Sequence, residues 1–473
     1  MFAVPENWTA FPVGFNKAEI TGSRASTHAA PSQETKAADK ETIAAKITDV
    51  RLKSLFISII FMFCQTNLRN ISLTCNFFLI FASFIHKKSA MRPHYILLCM
   101  LATLLCNCNH SHKSLSSLNG KDSVFLVVGS YSKKQDEGIK VFSFNQNTGE
   151  ATYRSGHAGI ANPSFLCASK KGDRIYAVSE TGGAEAAAHC LTFRAEDATL
   201  ALTSSSPTHG SAPCHIALSP SEDFLYTANY MGGSISEFPL TAEGKIGEGR
   251  ALPFSGKSIV ASRQDKPYLH AVYFTPDGSM LLANDLGTDR IHTFPLTGGK
   301  DSIRFQSLTD IHIKAGAGPR HLCFHPKGHR AYLLGELSGE VYVLAQKEGK
   351  WDIVQTVLAD SLHAGGSADI HCSPDGRFLY ASHRLKGDGL SIMKIHPEDG
   401  TLERVGYQPT GLHPRNFALT PNGRYILVAC KDNNVIEIYR RDTNTGMLSD
   451  TGKRISMPQP VCLCFLTDNP SHN

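Results

Sequence analysis

The stretch PRHLCFHPKGHRAYLLGE, Pro319 to Glu336, decides the fold, because the chain writes the same plan again and again. A short apolar run leads into Ser/Thr-Pro-x-Gly or a relative of it, and a second apolar run carrying Tyr or Leu follows. The plan recurs in PSFLCASKKGDRIYAVSE from Pro163, PCHIALSPSEDFLYTANY from Pro213, LHAVYFTPDGSMLLANDL from Leu269, ADIHCSPDGRFLYASHR from Ala368 and PRNFALTPNGRYILVACK from Pro414. A Gly/Asn turn and a third run ending in Phe or Tyr complete the unit. Alternating apolar and small residues have the period of a strand, not of a helix, and Pro-x-Gly suits a tight turn between strands. A period of about 50 residues with this content is that of a four-stranded propeller blade.

Six full copies leave two orphan pieces. FLVVGSYSKKQDEGIKVFSFNQNTGE (Phe125 to Glu150) has the later strands of a blade without its first, and PVCLCFL (Pro460 to Leu466) is a first strand with nothing after it. Joined, they make a seventh blade and cover two sheet edges that would otherwise stand open. The expectation is an all-β, seven-bladed β-propeller over residues 121–468, closed by pairing of its N- and C-terminal strands.

The front of the chain has another texture. Residues 1–90 run from a polar Ala/Thr/Lys-rich segment into Phe, Ile, Asn and Ser, with no repeat, and are expected to be an extension without a recognisable fold. The apolar runs Leu55 to Cys64 and Phe77 to Ile85 are each too short to span a bilayer. From Met91 the chain reads MRPHYILLCMLATLLCNCNHSHKSLSS, an Arg, an apolar core, a Cys and a Ser-rich spacer, which is the layout of a bacterial export signal. This predicts that translation starts at Met91, that residues 1–90 belong to an over-extended gene model, and that Cys106 or Cys108 carries a lipid anchor; the alternative is an uncleaved N-terminal anchor on a longer protein. The location is then the cell envelope or periplasm; with the signal unused it is the cytoplasm.

Composition excludes several classes. At 42% hydrophobic and 19% charged, the chain is neither collagenous nor disordered, and a net charge of +5 without a basic block argues against a nucleic-acid partner. Cys167, Cys323, Cys372, Cys462 and Cys464 fall in apolar runs, where thiols act as small hydrophobes. No CxxC pair occurs, and the CxC pairs Cys106/Cys108 and Cys462/Cys464 lack a partner cluster, so no zinc or other cofactor is expected.

First strands line a propeller's channel, so polar residues at their start are informative. Counting back from the turn Pro, the sixth position holds Ser164, Cys214, His270, Arg320, Ala368 and Arg415, and the fifth holds Phe165, His215, Ala271, His321, Asp369 and Asn416. Arg and His converging beside carboxylates point to a bound anion. Metal binding is the weaker reading, since no strand pairs its histidines at ligand spacing.

These segments, with VGSYSKKQDEGIKVFSF and GAGPRHLCFHPKGHRAYLLGELSGEV, resemble the 6-phosphogluconolactonase and 3-carboxymuconate-cyclase-like family of seven-bladed lactonases over essentially all of Lys121 to Leu466. The resemblance implies a metal-independent carboxylic ester hydrolase acting on a small anionic lactone, 6-phospho-D-glucono-1,5-lactone above all. It maps the catalytic cluster onto His270, Arg320 and Glu336, and substrate contacts onto His215, Asp285, His321, Asp369, Arg384, Arg415 and Lys431. Departures stand at Asp369, where relatives often carry Glu, at His383, where Asn is frequent, and at Lys431, where Gln is common. In the expected chemistry His270 deprotonates water, Arg320 stabilises the oxyanion and Glu336 orients either one. Ring closure of an unsaturated diacid by the same cluster, or a non-catalytic envelope propeller that binds a ligand, remain the alternatives.

Overall fold

The computed structural model describes residues 122–296 and 310–467; the export-signal layout at Met91 to Cys108 and the extension before it lie outside the described residues. Seven four-stranded antiparallel sheets form the ring. Blade 1 takes β4 (Leu166–Ala168), β5 (Arg174–Ser179), β6 (Ala187–Arg194) and β7 (Thr199–Pro207). Blade 2 takes β8 (Pro213–Leu218), β9 (Phe224–Asn229), β10 (Ser234–Pro239) and β11 (Arg250–Pro253). Blade 3 takes β12 (Leu269–Phe274), β13 (Met280–Asp285), β14 (Arg290–Pro295) and β15 (Ile311–His312). Blade 4 takes β16 (Pro319–Phe324), β17 (Arg330–Gly335), β18 (Glu340–Lys347) and β19 (Lys350–Leu358). Blade 5 takes β20 (Ser367–Cys372), β21 (Phe378–His383), β22 (Gly389–Ile395) and β23 (Leu402–Pro409). Blade 6 takes β24 (Pro414–Leu419), β25 (Tyr425–Cys430), β26 (Val435–Arg441) and β27 (Leu448–Ser456). Blade 7 joins β28 (Pro460–Leu466) to β1 (Ser123–Ser130), β2 (Ile139–Asn145) and β3 (Ala151–His157), with Phe125 opposite Leu466 and Gly129 opposite Cys462.

The repeated turn explains its own sequence. In five blades the Ser or Thr hydroxyl accepts the N–H that opens the second strand, as Thr275 does for Met280 and Ser373 for Phe378, both at 3.0 Å. The glycine supplies the left-handed residue that a side chain would strain, with φ of 67° at Gly278 and Gly376. Blade 2 spells this turn Ser-Pro-Ser-Glu, and Glu222 takes the left-handed conformation instead.

The core lies between blades. Seven apolar clusters fill the seven gaps, among them Phe125, Val127, Leu166 and Cys464 between blades 7 and 1, and Leu126, Phe144, Leu427 and Phe465 between blades 6 and 7. Each blade therefore buries both faces only when its neighbours are present. The recurrent Tyr of the second strand has a second role: Tyr176, Tyr332 and Tyr380 each donate a hydroxyl hydrogen bond, at 2.8–2.9 Å, to a glycine carbonyl in the outer hairpin of the next blade.

Candidate active site

One face of the ring carries the site, and two rings of residues build it. In every blade the residue after the second strand donates its N–H to a carbonyl of the segment leading into the first strand, at 2.7–3.1 Å, and this places Tyr131, Glu180, Tyr230, Leu286, Glu336, Arg384 and Lys431 at equivalent positions around the mouth. The second ring is the sixth-position set. Leu269 pairs with Asp285 but Ala271 pairs with Asn284, so His270 is an extra residue, a β-bulge. Cys214 and Arg415 are bulged in the same way. A bulge breaks the alternation that would send neighbours to opposite faces, so both the sixth and the fifth positions turn inward.

Glu336 is the hub. Its carboxylate accepts from Arg320 Nε at 2.9 Å and Arg263 Nη2 at 2.6 Å, with Arg384 Nη2 at 3.5 Å and His270 Nε2 at 3.9 Å. Burial pushes its pKa up, but Arg384, Arg320 and Arg263 together draw it down to about 2, so it is a permanent anion at neutral pH. Arg320 is 1% exposed and also donates to the Ala368 carbonyl, which makes it the floor of the cluster. Arg384 is held by the carbonyls of Gly366 and Ser367 and touches His413 Nε2 at 3.4 Å. His270 is buried, and that burial, followed by Arg320, His321 and Arg415, holds its pKa well below the ordinary 6.5, so it is neutral.

Arg415 forms a second group. Its guanidinium lies over the Tyr131 ring at 5.3 Å and 3.8 Å from Glu180 Oε2, which also accepts from the Tyr131 hydroxyl at 2.9 Å. Arg263, Glu180, Tyr131, Tyr230 and His413 were not singled out in the sequence. For Tyr131, Glu180 and Tyr230 a signal existed, the offset one past the second strand that also yields Glu336 and Arg384. Arg263 comes from the long connection between β11 and β12, where no repeat can point to it.

Several expected contacts are placed elsewhere. Asp285 is fully buried, and its oxygens accept the N–H groups of Tyr268 and Gly287 and the hydroxyl of Thr288, so it is a loop staple. His383, expected at the mouth, is fully buried between Ser367 Oγ at 2.8 Å and Ser391 Oγ at 2.7 Å, inside the sheet. Lys431 stands in the upper ring but pairs with Asp432, which also holds His413 Nδ1 at 3.0 Å, so it brings no unbalanced charge.

The fifth-position residues form a plug below the rim. There side chains cap main-chain N–H groups of the next blade: His215 for Val272 at 3.4 Å, Asp369 for Phe417 at 3.2 Å, Asn416 for Leu463 at 2.8 Å and Cys462 for Leu166 at 3.3 Å. His215, His321 and Asp369, expected as substrate contacts, are thus 2–3% exposed and stitch blades together. Among the described residues no group of three or more His, Cys, Asp and Glu side chains is arranged to hold a metal ion.

Comparison with known proteins places the chain in a family. The family model described as "Lactonase, 7-bladed beta-propeller" matches residues 125–465. A 6-phosphogluconolactonase of Formosa agariphila is 39% identical over 334 residues, 68% of this chain and 94% of that protein. A Bacteroides fragilis protein, whose crystal structure is described as that of a candidate 6-phosphogluconolactonase, aligns with a TM-score of 0.70 and 43% identity over 73% of this chain and 98% of that one. The periplasmic gluconolactonase of Pseudomonas aeruginosa aligns with a TM-score of 0.68 and 29% identity, over 73% of this chain and 99% of that one.

Proposed function

The chain belongs to the seven-bladed β-propeller lactonase family, and from that premise we propose that it is a carboxylic ester hydrolase that opens a sugar lactone, 6-phospho-D-glucono-1,5-lactone first among them, in the pentose phosphate branch of carbohydrate metabolism. The observation that carries the anionic substrate is the charge count at the rim. Four guanidinium groups (Arg263, Arg320, Arg384, Arg415) face two carboxylates (Glu180, Glu336) there, while Lys431 and Asp432 cancel. The surplus of positive charge suits a phosphate, with Arg384 and Arg415 as its contacts.

The reaction needs a base for water and positive charge near the carbonyl oxygen. A neutral buried imidazole meets the first need, and the channel offers His270 at the rim and His321 below it. Arg320, fixed by Glu336, meets the second; removing one such donor typically costs roughly 3 kcal/mol of transition-state stabilisation. As the tetrahedral adduct collapses, the ring C–O bond breaks, its oxygen takes a proton, and a hydroxy acid leaves.

A panel of phosphorylated and unphosphorylated lactones, followed by proton release, tests the reading. Turnover of the phosphorylated lactone with the higher kcat/KM supports it; no turnover of any lactone refutes it. Turnover restricted to unphosphorylated lactones supports a second reading, an envelope enzyme, which the Met91 to Cys108 layout and the periplasmic relative favour.

A further inference from the structure

Stitching blades together accounts for every polar atom of the channel plug that bonds, but not for one that does not. His321 is 3% exposed and its Nδ1 lies 2.7 Å from Asp369 Oδ1, yet its Nε2 is buried and has no partner among the described residues. Asp369 also accepts from the N–H of Ile370 at 3.0 Å, His371 Nε2 at 2.9 Å, Asn416 Nδ2 at 2.5 Å and the N–H of Phe417 at 3.2 Å. An ionised carboxylate only accepts, so Nδ1 of His321 carries the hydrogen and Nε2 presents a bare lone pair. A buried acceptor without a bond is rare in a native fold, and a catalytic role is one of the explanations for it.

Two imidazoles compete for the role of base. His270 lies among Arg320, Arg384 and Arg415, which oppose its protonation, and the thiol near its Nδ1 at 3.8 Å cannot fix its tautomer. His321 has its tautomer fixed by a carboxylate that also stabilises the imidazolium. That is the arrangement a general base needs.

We propose that His321, oriented by Asp369, is the base of the lactonase site, an inference that rests on the reading of the protein as a lactone hydrolase. Water attacks the carbonyl carbon as its proton passes to Nε2 of His321. The imidazolium so formed is held through Nδ1–H on Asp369, and when the ring C–O bond breaks, Nε2 returns the proton to the departing ring oxygen. The product acid then ionises into solvent, so one water is consumed and no other reagent is needed. His270, whose Nε2 lies 3.9 Å from Glu336, packs edge-to-face on His321 with ring centroids 5.2 Å apart, so the base adjoins the rim cluster. His321 is then a catalytic residue and Asp369 a positioning residue.

The groups facing His321 are Arg320 on its own strand, Asp369 and His371 on β20, His270 on β12 and His215 on β8. Burial and Arg320 lower its pKa to about 4 against the pull of Asp369, so the base is competent at neutral pH, and kcat/KM falls only as pH drops through about 4. In Asp369→Asn the upward pull is lost, so this limb moves to lower pH.

Three measurements test the dyad. His321→Gln lowers kcat by roughly 10²–10⁴-fold while KM stays within about threefold. Imidazole added to His321→Gly restores turnover, and added to His270→Gly does not. In the ¹⁵N-histidine spectrum of the wild-type chain, His321 shows a protonated Nδ1 and a bare Nε2 that shifts when the hydroxy-acid product binds, a readout that no failure to fold can spoil. A His321→Gln protein that melts like the wild type and keeps its kcat, or an Nε2 resonance indifferent to product, overturns the proposal. A wild-type chain inert toward every lactone overturns the lactonase reading itself.

Discussion

Glu336 illustrates how one side chain can order a whole rim. With its pKa lowered from an ordinary 4.5 to about 2, its contribution to stability is complete above pH 4.5 and is lost as pH falls toward 2. Glu336→Gln should melt at a lower temperature at pH 7, because Arg320 and Arg384 keep their burial and lose their counter-charge. It should also lose much of the acid dependence between about pH 4.5 and 2; melting curves across that range check both. His383 offers the opposite case. Since it bridges two serines away from the mouth, His383→Asn should leave KM within about twofold of wild type, and steady-state kinetics decide it. The sequence shows that His, Arg and Asp collect at one end of the first strands. It does not show depth: neighbours such as Arg320 and His321 differ by one layer only because a bulge turns both inward, and no hydrophobic pattern records a bulge. Tyr131, Glu180 and Tyr230 were hidden for a related reason, because they follow second strands, whose apolar runs draw attention to the core they bury.

Strands and turns were more legible than side-chain roles. Strand alternation, Pro-x-Gly and the recurring Tyr each have a local physical cause, a pleat, a left-handed turn residue and a hydroxyl latch onto the next blade, so each leaves a mark in every copy. Blade 3 tests the limit: its outer strand β15 has only two residues, and residues 297–309 before it lie outside the described residues. The strand that matters most for integrity is β28. It pairs with β1 and contributes Cys462, Cys464 and Leu466 to one inter-blade cluster and Leu463 and Phe465 to another. A chain ending at Ser456 should therefore lose cooperative melting and bind a hydrophobic dye, although it lacks only a single strand of the ring. A truncated protein that unfolded as sharply as the full one would show that blade 7 does not need its first strand.

At the scale of the whole molecule, the inter-blade cores explain why the ring behaves as one unit, and the rim charge explains what it attracts. An anionic lactone is drawn to a cluster with surplus guanidinium groups, and salt screens that attraction over a Debye length of about 8 Å at physiological ionic strength. Raising salt from about 0.05 to 0.5 M should therefore raise KM for a phosphorylated lactone several-fold and leave KM for a neutral one nearly unchanged, which parallel titrations measure. One further consequence lies in blade 7. Because Phe125 stands opposite Leu466, the two ends of the ring are neighbours, and a short linker from Thr467 to Asp122 would make the polypeptide circular. Such a circle could be reopened at any outer hairpin. A permuted gene beginning, for instance, between β10 and β11 would then encode the same mouth, which makes gene order and architecture independent properties of this protein.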